Sequence, residues 1–109
     1  VRRSSLLFSG VLLPALIIAP ALPAGAATDT LASQMHRLRV CESSNNYRAN
    51  TGNGYFGAYQ YAPGTWRKLG YSGRPDHASS KTQDAATTKL HSREGWRPWP
   101  GCARREHLH

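Results

Sequence analysis

Leu31, Met35 and Leu38 are spaced by four and three residues, and Glu42 follows four further on, so all four share one face of a helix that Thr28 or Asp29 can cap. Glu42 closes that apolar stripe. Neighbouring packing there strips water from its carboxyl, and the partial negative charge of the helix end also opposes ionisation. The pattern then changes. Gly52, Asn53 and Gly54 suit a tight turn, and "YFGAYQY" has strand composition. This predicts a short β-hairpin, with Tyr55, Gly57, Tyr59 and Tyr61 facing one way and Phe56, Ala58 and Gln60 the other. Pro63 suits the first turn of a short helix through Trp66 and Leu69, which Gly70 ends. A third helix is expected over "SSKTQDAATTKLHSREG", with Ser80 and Gln83 as a capping box, Ala86 and Leu90 on one face and Gly95 as its stop. Its apolar stripe is poor, so it is expected to cover one side of a small core rather than form its centre. Trp96 and Trp99, beside Cys102, supply bulk to that core, and "ARREHLH" reads as a frayed basic end.

Ahead of these elements stand Arg2 and Arg3, the apolar run "LLFSGVLLPALIIAPAL" and then "PAGAA", with small residues at alternate positions. That order is the one of a secretory signal peptide, expected to be cut after Ala26 and to leave no stable membrane anchor. Export carries the two cysteines, Cys41 and Cys102, into an oxidising compartment. One intramolecular pairing is available to them, with free or intermolecular thiols as the weaker alternative. Closing a loop of that length stabilises by roughly 4 kcal/mol on the chain-entropy estimate, which matters for a domain whose single core is close to the minimum. Loss of Arg2 and Arg3 takes the net charge of the 109-residue chain from +8 to +6. The remaining Lys and Arg are dispersed without a nucleic-acid-binding motif, so the expected partner is anionic cell envelope and not nucleic acid. No internal repeat is visible, and a monomer is expected.

A carboxyl poised to stay protonated, beside a segment rich in Tyr, Asn and Gln, suits cleavage of a glycosidic bond, in which a general acid protonates the leaving oxygen. Aromatic rings accept the C–H faces of sugars, and amide side chains match their hydroxyl and acetamido groups. A second carboxylate is the open chemical point. Asp84 and Glu94 are read as solvated helix surface, and Asp76, in a loop, is not held near Glu42 by anything in the sequence. Trp66, Trp96 and Trp99 are read as core before sugar platform. The histidines, His36, His77, His91, His107 and His109, lack partners at ligand spacing, so neither metal nor cofactor is expected.

At these residues the chain resembles the transglycosylase-like domain of the resuscitation-promoting factors. Cys41-Glu42-Ser43, Thr51-Gly52-Asn53-Gly54 followed by two aromatics and Gly57, Gln60 before an aromatic, Thr65-Trp66 and the closing "GWRPWPGC" all occur in order. The resemblance spans about residues 35–102, leaving 1–26 as signal peptide, 27–34 as lead-in and 103–109 as tail. It implies a small lysozyme-like domain, α+β and mostly helical, with a short hairpin and one disulfide between Cys41 and Cys102. It also implies Glu42 as catalytic acid, with Thr51, Asn53, Tyr55, Gln60 and Trp66 lining or supporting a saccharide cleft. The substrate implied is the glycan strand of peptidoglycan, cut outside the cell by a lytic transglycosylase or muramidase course. A cell-wall peptidase is a candidate second partner, and a non-enzymatic wall-binding or growth-signalling module of the same fold is the competing class. Where the family usually reads Ser-Gly-Gly after the glutamate, this chain has Ser43, Ser44 and Asn45.

Overall fold

The computed structural model describes residues 28–109 together with Pro20, so the expected signal peptide and its cut lie outside the described residues. Helix α1 spans Leu31–Ser43, α2 Pro63–Lys68, α3 Ser80–Glu94 and α4 Pro100–Arg105, with a single 3-10 turn at Pro75–His77. The cap of α1 is Thr30, whose hydroxyl accepts from Ser33 N at 3.1 Å, rather than Thr28 or Asp29. Asp29 is used differently: its carboxylate accepts two bonds from Arg37, at 2.8 and 3.0 Å, across the first turns. Residues 31–34 are helical, as the apolar spacing from Leu31 predicts, and Gln34 is buried.

α1 ends in a left-handed turn. Ser44 N donates to Val40 O and Asn45 N to Arg39 O, both at 3.0 Å, so the last carbonyls of the helix are satisfied. The geometry requires positive φ at two successive residues that are not glycine, Ser44 at 56° and Asn45 at 62°. Asn tolerates that region better than Ser does, so the greater cost falls on Ser44.

The predicted hairpin is not formed. Among the described residues there is no strand, and pairing is limited to the isolated bridges Asn50 to Phe56 and Phe56 to Tyr61. Gly57 at φ 83° and Gln60 at φ 56° turn the chain back, so Phe56 and Tyr61 close a tight loop instead of extending a ladder. The two-sided alternation fails with it: Ala58, Tyr59 and Tyr61 are all buried, while Tyr55 is exposed. The fold is mostly helical, with the tyrosine-rich segment in irregular backbone.

That backbone is held by Gln83. Its side-chain oxygen accepts from Ala58 N at 2.9 Å, and its amide nitrogen donates to Tyr47 O at 2.9 Å and Ala78 O at 3.0 Å. The expected capping box is thereby corrected. Ser79, one residue earlier, caps α3 by accepting from Thr82 N, so Gln83 belongs to the inward face with Ala86, Thr87 and Leu90. Gly95 ends the helix as expected, at φ 63°.

The core gathers on Tyr61, whose ring lies 5.4 Å from Trp66, 6.1 Å from Trp99 and 6.4 Å from Tyr59. Its hydroxyl is hydrogen-bonded to Thr87 Oγ1 at 2.9 Å, and Trp99 Nε1 donates to Tyr59 O at 2.9 Å. Cys41 and Cys102 are disulfide-bonded across 61 residues, joining the last turn of α1 to α4. The closing residues are not frayed as expected. Leu108 is buried in the core, Ala103 packs against that core, and the His109 carbonyl accepts from Gln34 Nε2 at 3.1 Å, so the tail is held by apolar burial and by a bond to α1.

Two backbone substitutions follow with opposite signs. Ser44→Gly is expected to stabilise by about 0.5–1 kcal/mol, since glycine removes the left-handed penalty but loses more entropy on folding. Gly57→Ala is expected to cost about 3 kcal/mol, because its Cβ would stand 2.5 Å from Gln83 Oε1 at a positive φ. Gly52→Ala, at φ 86° with nothing within 4 Å, serves as the control and should cost only about 1 kcal/mol. Urea unfolding of the three variants measures all of these.

Candidate active site

Glu42 lies in the last turn of α1, half-buried, with its neighbour Cys41 tied to α4. Burial pushes its carboxyl above the ordinary glutamate range, and the charge of Arg105 pulls it back in smaller measure. The turn that carries it is pinned from the other side, where Ser43 Oγ donates to Ala58 O at 2.8 Å. The helix end is thus fixed both to α4 and to the loop that Gln83 holds.

Two hollows meet at Glu42. One, of about 310 Å³, runs over Ser44, Asn46, Thr51, Asn53 and Gln60; the other, of about 270 Å³, runs over Asn53, Tyr55, Gln60, Trp99 and Gly101. Glu42, Asn53 and Gln60 belong to both, so the carboxyl stands at their junction. Asn53 Oδ1 accepts from Tyr55 N at 3.0 Å, its amide nitrogen lies 3.3 Å from Gln60 Oε1, and Gln60 Nε2 donates to Gly57 O at 3.0 Å. These bonds fix the loop while leaving Thr51 and Asn53 exposed to a ligand, and Tyr55 keeps 49% of its surface in solvent.

The structure brings Glu42, Thr51, Asn53, Tyr55 and Gln60 together around one groove. It does not bring Trp66 to the groove surface. That side chain is fully buried, stacked on Tyr71 at 4.7 Å, with its indole nitrogen donating to Ser72 O at 3.2 Å, so it supports the groove from beneath. Trp99, read from the sequence as core, is the tryptophan that lines the groove wall. Its signal was present in the sequence: it precedes by three residues the cysteine paired with the neighbour of Glu42.

Among the described residues, Glu42 is the only carboxylate lining either hollow. Asp84, expected as solvated surface, keeps 41% of its side chain exposed and also accepts from the Tyr47 hydroxyl at 2.8 Å and the Tyr59 hydroxyl at 2.6 Å, with Arg39 at 3.5 Å. Burial first, and then the bond to Asp84, holds the Tyr59 hydroxyl firmly protonated. Asp76 is buried against Arg74, which donates two bonds of 2.8 Å and lowers its pKa. These acids brace the fold. Glu94 faces a different hollow.

The model of the transglycosylase-like domain matches residues 29–102. Over 71 residues the chain is 41% identical to the resuscitation-promoting factor RpfB of Mycolicibacterium smegmatis, covering 62% of this chain and 20% of that protein. It is 41% identical over 68 residues to RpfE of Mycobacterium tuberculosis, with 62% and 40% covered, and 38% identical over 84 residues to Rpf of Micrococcus luteus, with 76% and 36% covered. The chain spans less than half the length of each of these relatives. With the match extending from the residue before the cap of α1 to the second cysteine, this chain belongs to the transglycosylase-like domain family, among homologues named resuscitation-promoting factors.

Proposed function

We propose that this domain cleaves peptidoglycan glycan strands outside the cell, at the β-1,4 bond between N-acetylmuramic acid and N-acetylglucosamine, with Glu42 as general acid. The observation that carries the reading is a half-buried carboxyl, its proton affinity raised by burial, standing as the only carboxylate among the described residues that line the polar and aromatic groove around it. Family membership supports it. In the Glu42 groove, the amides of Asn53 and Gln60 and the hydroxyl of Thr51 bond to sugar hydroxyl and acetamido groups, and the exposed Tyr55 ring takes a C–H face.

The protonated Glu42 donates to the glycosidic oxygen as the bond to the sugar carbon breaks, which leaves one strand with a free hydroxyl and an oxocarbenium-like centre on the other. An ordinary retaining or inverting enzyme would now need a second carboxylate. Here the ionised Glu42 takes the proton of the sugar's own 6-hydroxyl as that oxygen closes on the cationic carbon. The product carries a 1,6-anhydro end, and no water is consumed. The course asks for one carboxylate, which is the number the groove offers.

Glu42→Gln keeps shape and removes the proton. Release of muropeptides from purified wall is expected to fall by about 10²–10⁴-fold, the usual contribution of general acid catalysis. Mass spectrometry of the wild-type products should find ends lighter than reducing ends by one water. Release at the wild-type rate by the variant would end the enzymatic reading, and wall binding without release by the wild type would mark a binding module instead.

A second outcome is thermodynamic. The folded-state pKa of Glu42 is raised, so between its unfolded and folded values the native state binds more protons than the unfolded one, and stability falls as pH rises through that window. The cost is absent below the unfolded pKa and fully present above the folded one. The melting temperature of Glu42→Gln relative to wild type should therefore rise from about pH 3 to about pH 7. A difference that is flat or falls with pH would contradict it.

A further inference from the structure

The groove does not stop at Trp99. From the hollow over Tyr55, Gln60 and Trp99 it narrows to a neck of about 80 Å³ over Tyr61 and Thr65, then opens into a third hollow of about 370 Å³. Continuity is carried by shared residues: Tyr55, Gln60, Pro98 and Trp99 join the first two, and Thr65, Leu90 and Pro98 join the neck to the third. The character of the lining changes along this path. Near Glu42 it is amide and aromatic, whereas the far hollow is lined by Lys68, from the last turn of α2, and Arg93, from the last turn of α3, with Glu94 beside them.

Some cations of the fold are engaged: Arg37, Arg39 and Arg74 pair with Asp29, Asp84 and Asp76, and Lys89 donates to Leu69 O at 2.7 Å. Among the described residues, Lys68 and Arg93 have no ion pair and no side-chain hydrogen bond and are exposed, as are Arg48, Arg67, Lys81, Arg97 and Arg104; what sets Lys68 and Arg93 apart is that they line one hollow together. Each offsets the dipole at the end of its own helix, which explains a cation at either place. It does not explain why two helices bring their cations to one concavity continuous with the groove. After Glu94 the hollow retains a net positive charge.

We propose that this hollow is a subsite for an anionic substituent, carboxylate or phosphodiester, borne by the glycan strand whose sugars occupy the Glu42 groove. The inference rests on the glycan reading of that groove. A linear substituent crosses the neck, and Lys68 and Arg93 receive its negative charge at the far end, so the domain distinguishes substituted strands from bare ones. Arg93 offers a planar fork suited to either oxyanion, and Lys68 a movable point charge.

The test is binding, in a Glu42→Gln background so that strands are not consumed. E42Q is compared with E42Q/K68Q/R93Q on intact wall, on wall freed of phosphate polymers by acid, on peptide-free glycan strands whose lactyl carboxyls have been amidated, and on such strands also freed of phosphate. Two exposed charge contacts correspond to about three- to tenfold in affinity, so the triple variant is expected to bind intact wall weaker by that factor at low salt. The difference should vanish at high salt, where exposed charges are screened. Its loss on phosphate-free wall identifies a phosphodiester, and its loss on the peptide-free, amidated strands identifies a carboxylate. A difference that persists on strands lacking both anions overturns the proposal, as does equal binding to intact wall. Unequal melting temperatures with equal binding would leave the two cations with only their helix-end role and would also overturn it. Failure of E42Q to bind any strand sinks the glycan reading itself, which separates the two failures.

Discussion

The Gln83 amide is the interaction on which the site depends. A buried segment of irregular backbone has no ladder to satisfy its polar groups, and each group left unpaired costs about 1–3 kcal/mol. Gln83 answers three such groups at once: the amide of Ala58 and the carbonyls of Tyr47 and Ala78. It can approach so closely because Gly57, beside Ala58, presents no Cβ toward it. The loop that carries Thr51, Asn53, Tyr55 and Gln60 is thereby moored at its two ends to a helix, and it stays open toward solvent where a ligand would meet it. A side-chain amide does here what a neighbouring strand does in a sheet.

The other wall of the groove is placed covalently. The Cys41–Cys102 bond sets the turn of α1 that holds Glu42 against the start of α4, and thus beside Trp99 and Gly101. Ser43 then ties that turn to Ala58, the residue whose amide Gln83 receives. Glu42 sits where these restraints converge, which is why it is half-buried without an acidic neighbour. Its poise follows from where the backbone is held, since no hydrogen-bonded partner sets its protonation. The left-handed turn at Ser44 and Asn45 is part of the same arrangement, because the chain must reverse there to bring the loop back over the helix end.

Much of this was legible. The apolar spacing of Leu31, Met35 and Leu38 located Glu42 at a helix end, and from that position its raised proton affinity followed. Pro63 and Gly95 marked a helix start and a helix end by local stereochemistry alone, and two cysteines allowed one internal pairing. The polar residues of the groove were found because they crowd a short segment that follows Glu42. What was not legible turned on small offsets. Taking Ser80 in place of Ser79 as the α3 cap assigned the Gln83 side chain to a capping bond and hid its inward role, although its three- and seven-residue spacings to Ala86 and Leu90 put it on their face. Asp84, one residue on, reads as solvent-facing and is partly so, but the two tyrosine hydroxyls that reach it come from distant parts of the chain.

The sequence by itself determined three of the four helices, the single internal cysteine pairing and the position of the solitary acid, because each depends on spacing along the chain or on there being one intramolecular pair to make; α4, over Pro100–Arg105, was not foreseen. Tertiary structure alone decided that the tyrosine-rich segment turns instead of pairing, that Trp66 lies beneath the groove while Trp99 forms its wall, and that the tail docks through Leu108. These outcomes depend on which distant groups satisfy a given backbone amide or fill a given volume. Residue pattern records that a group is apolar or polar, but the partner that Ala58 N finds, 25 residues away, is chosen only when the core closes.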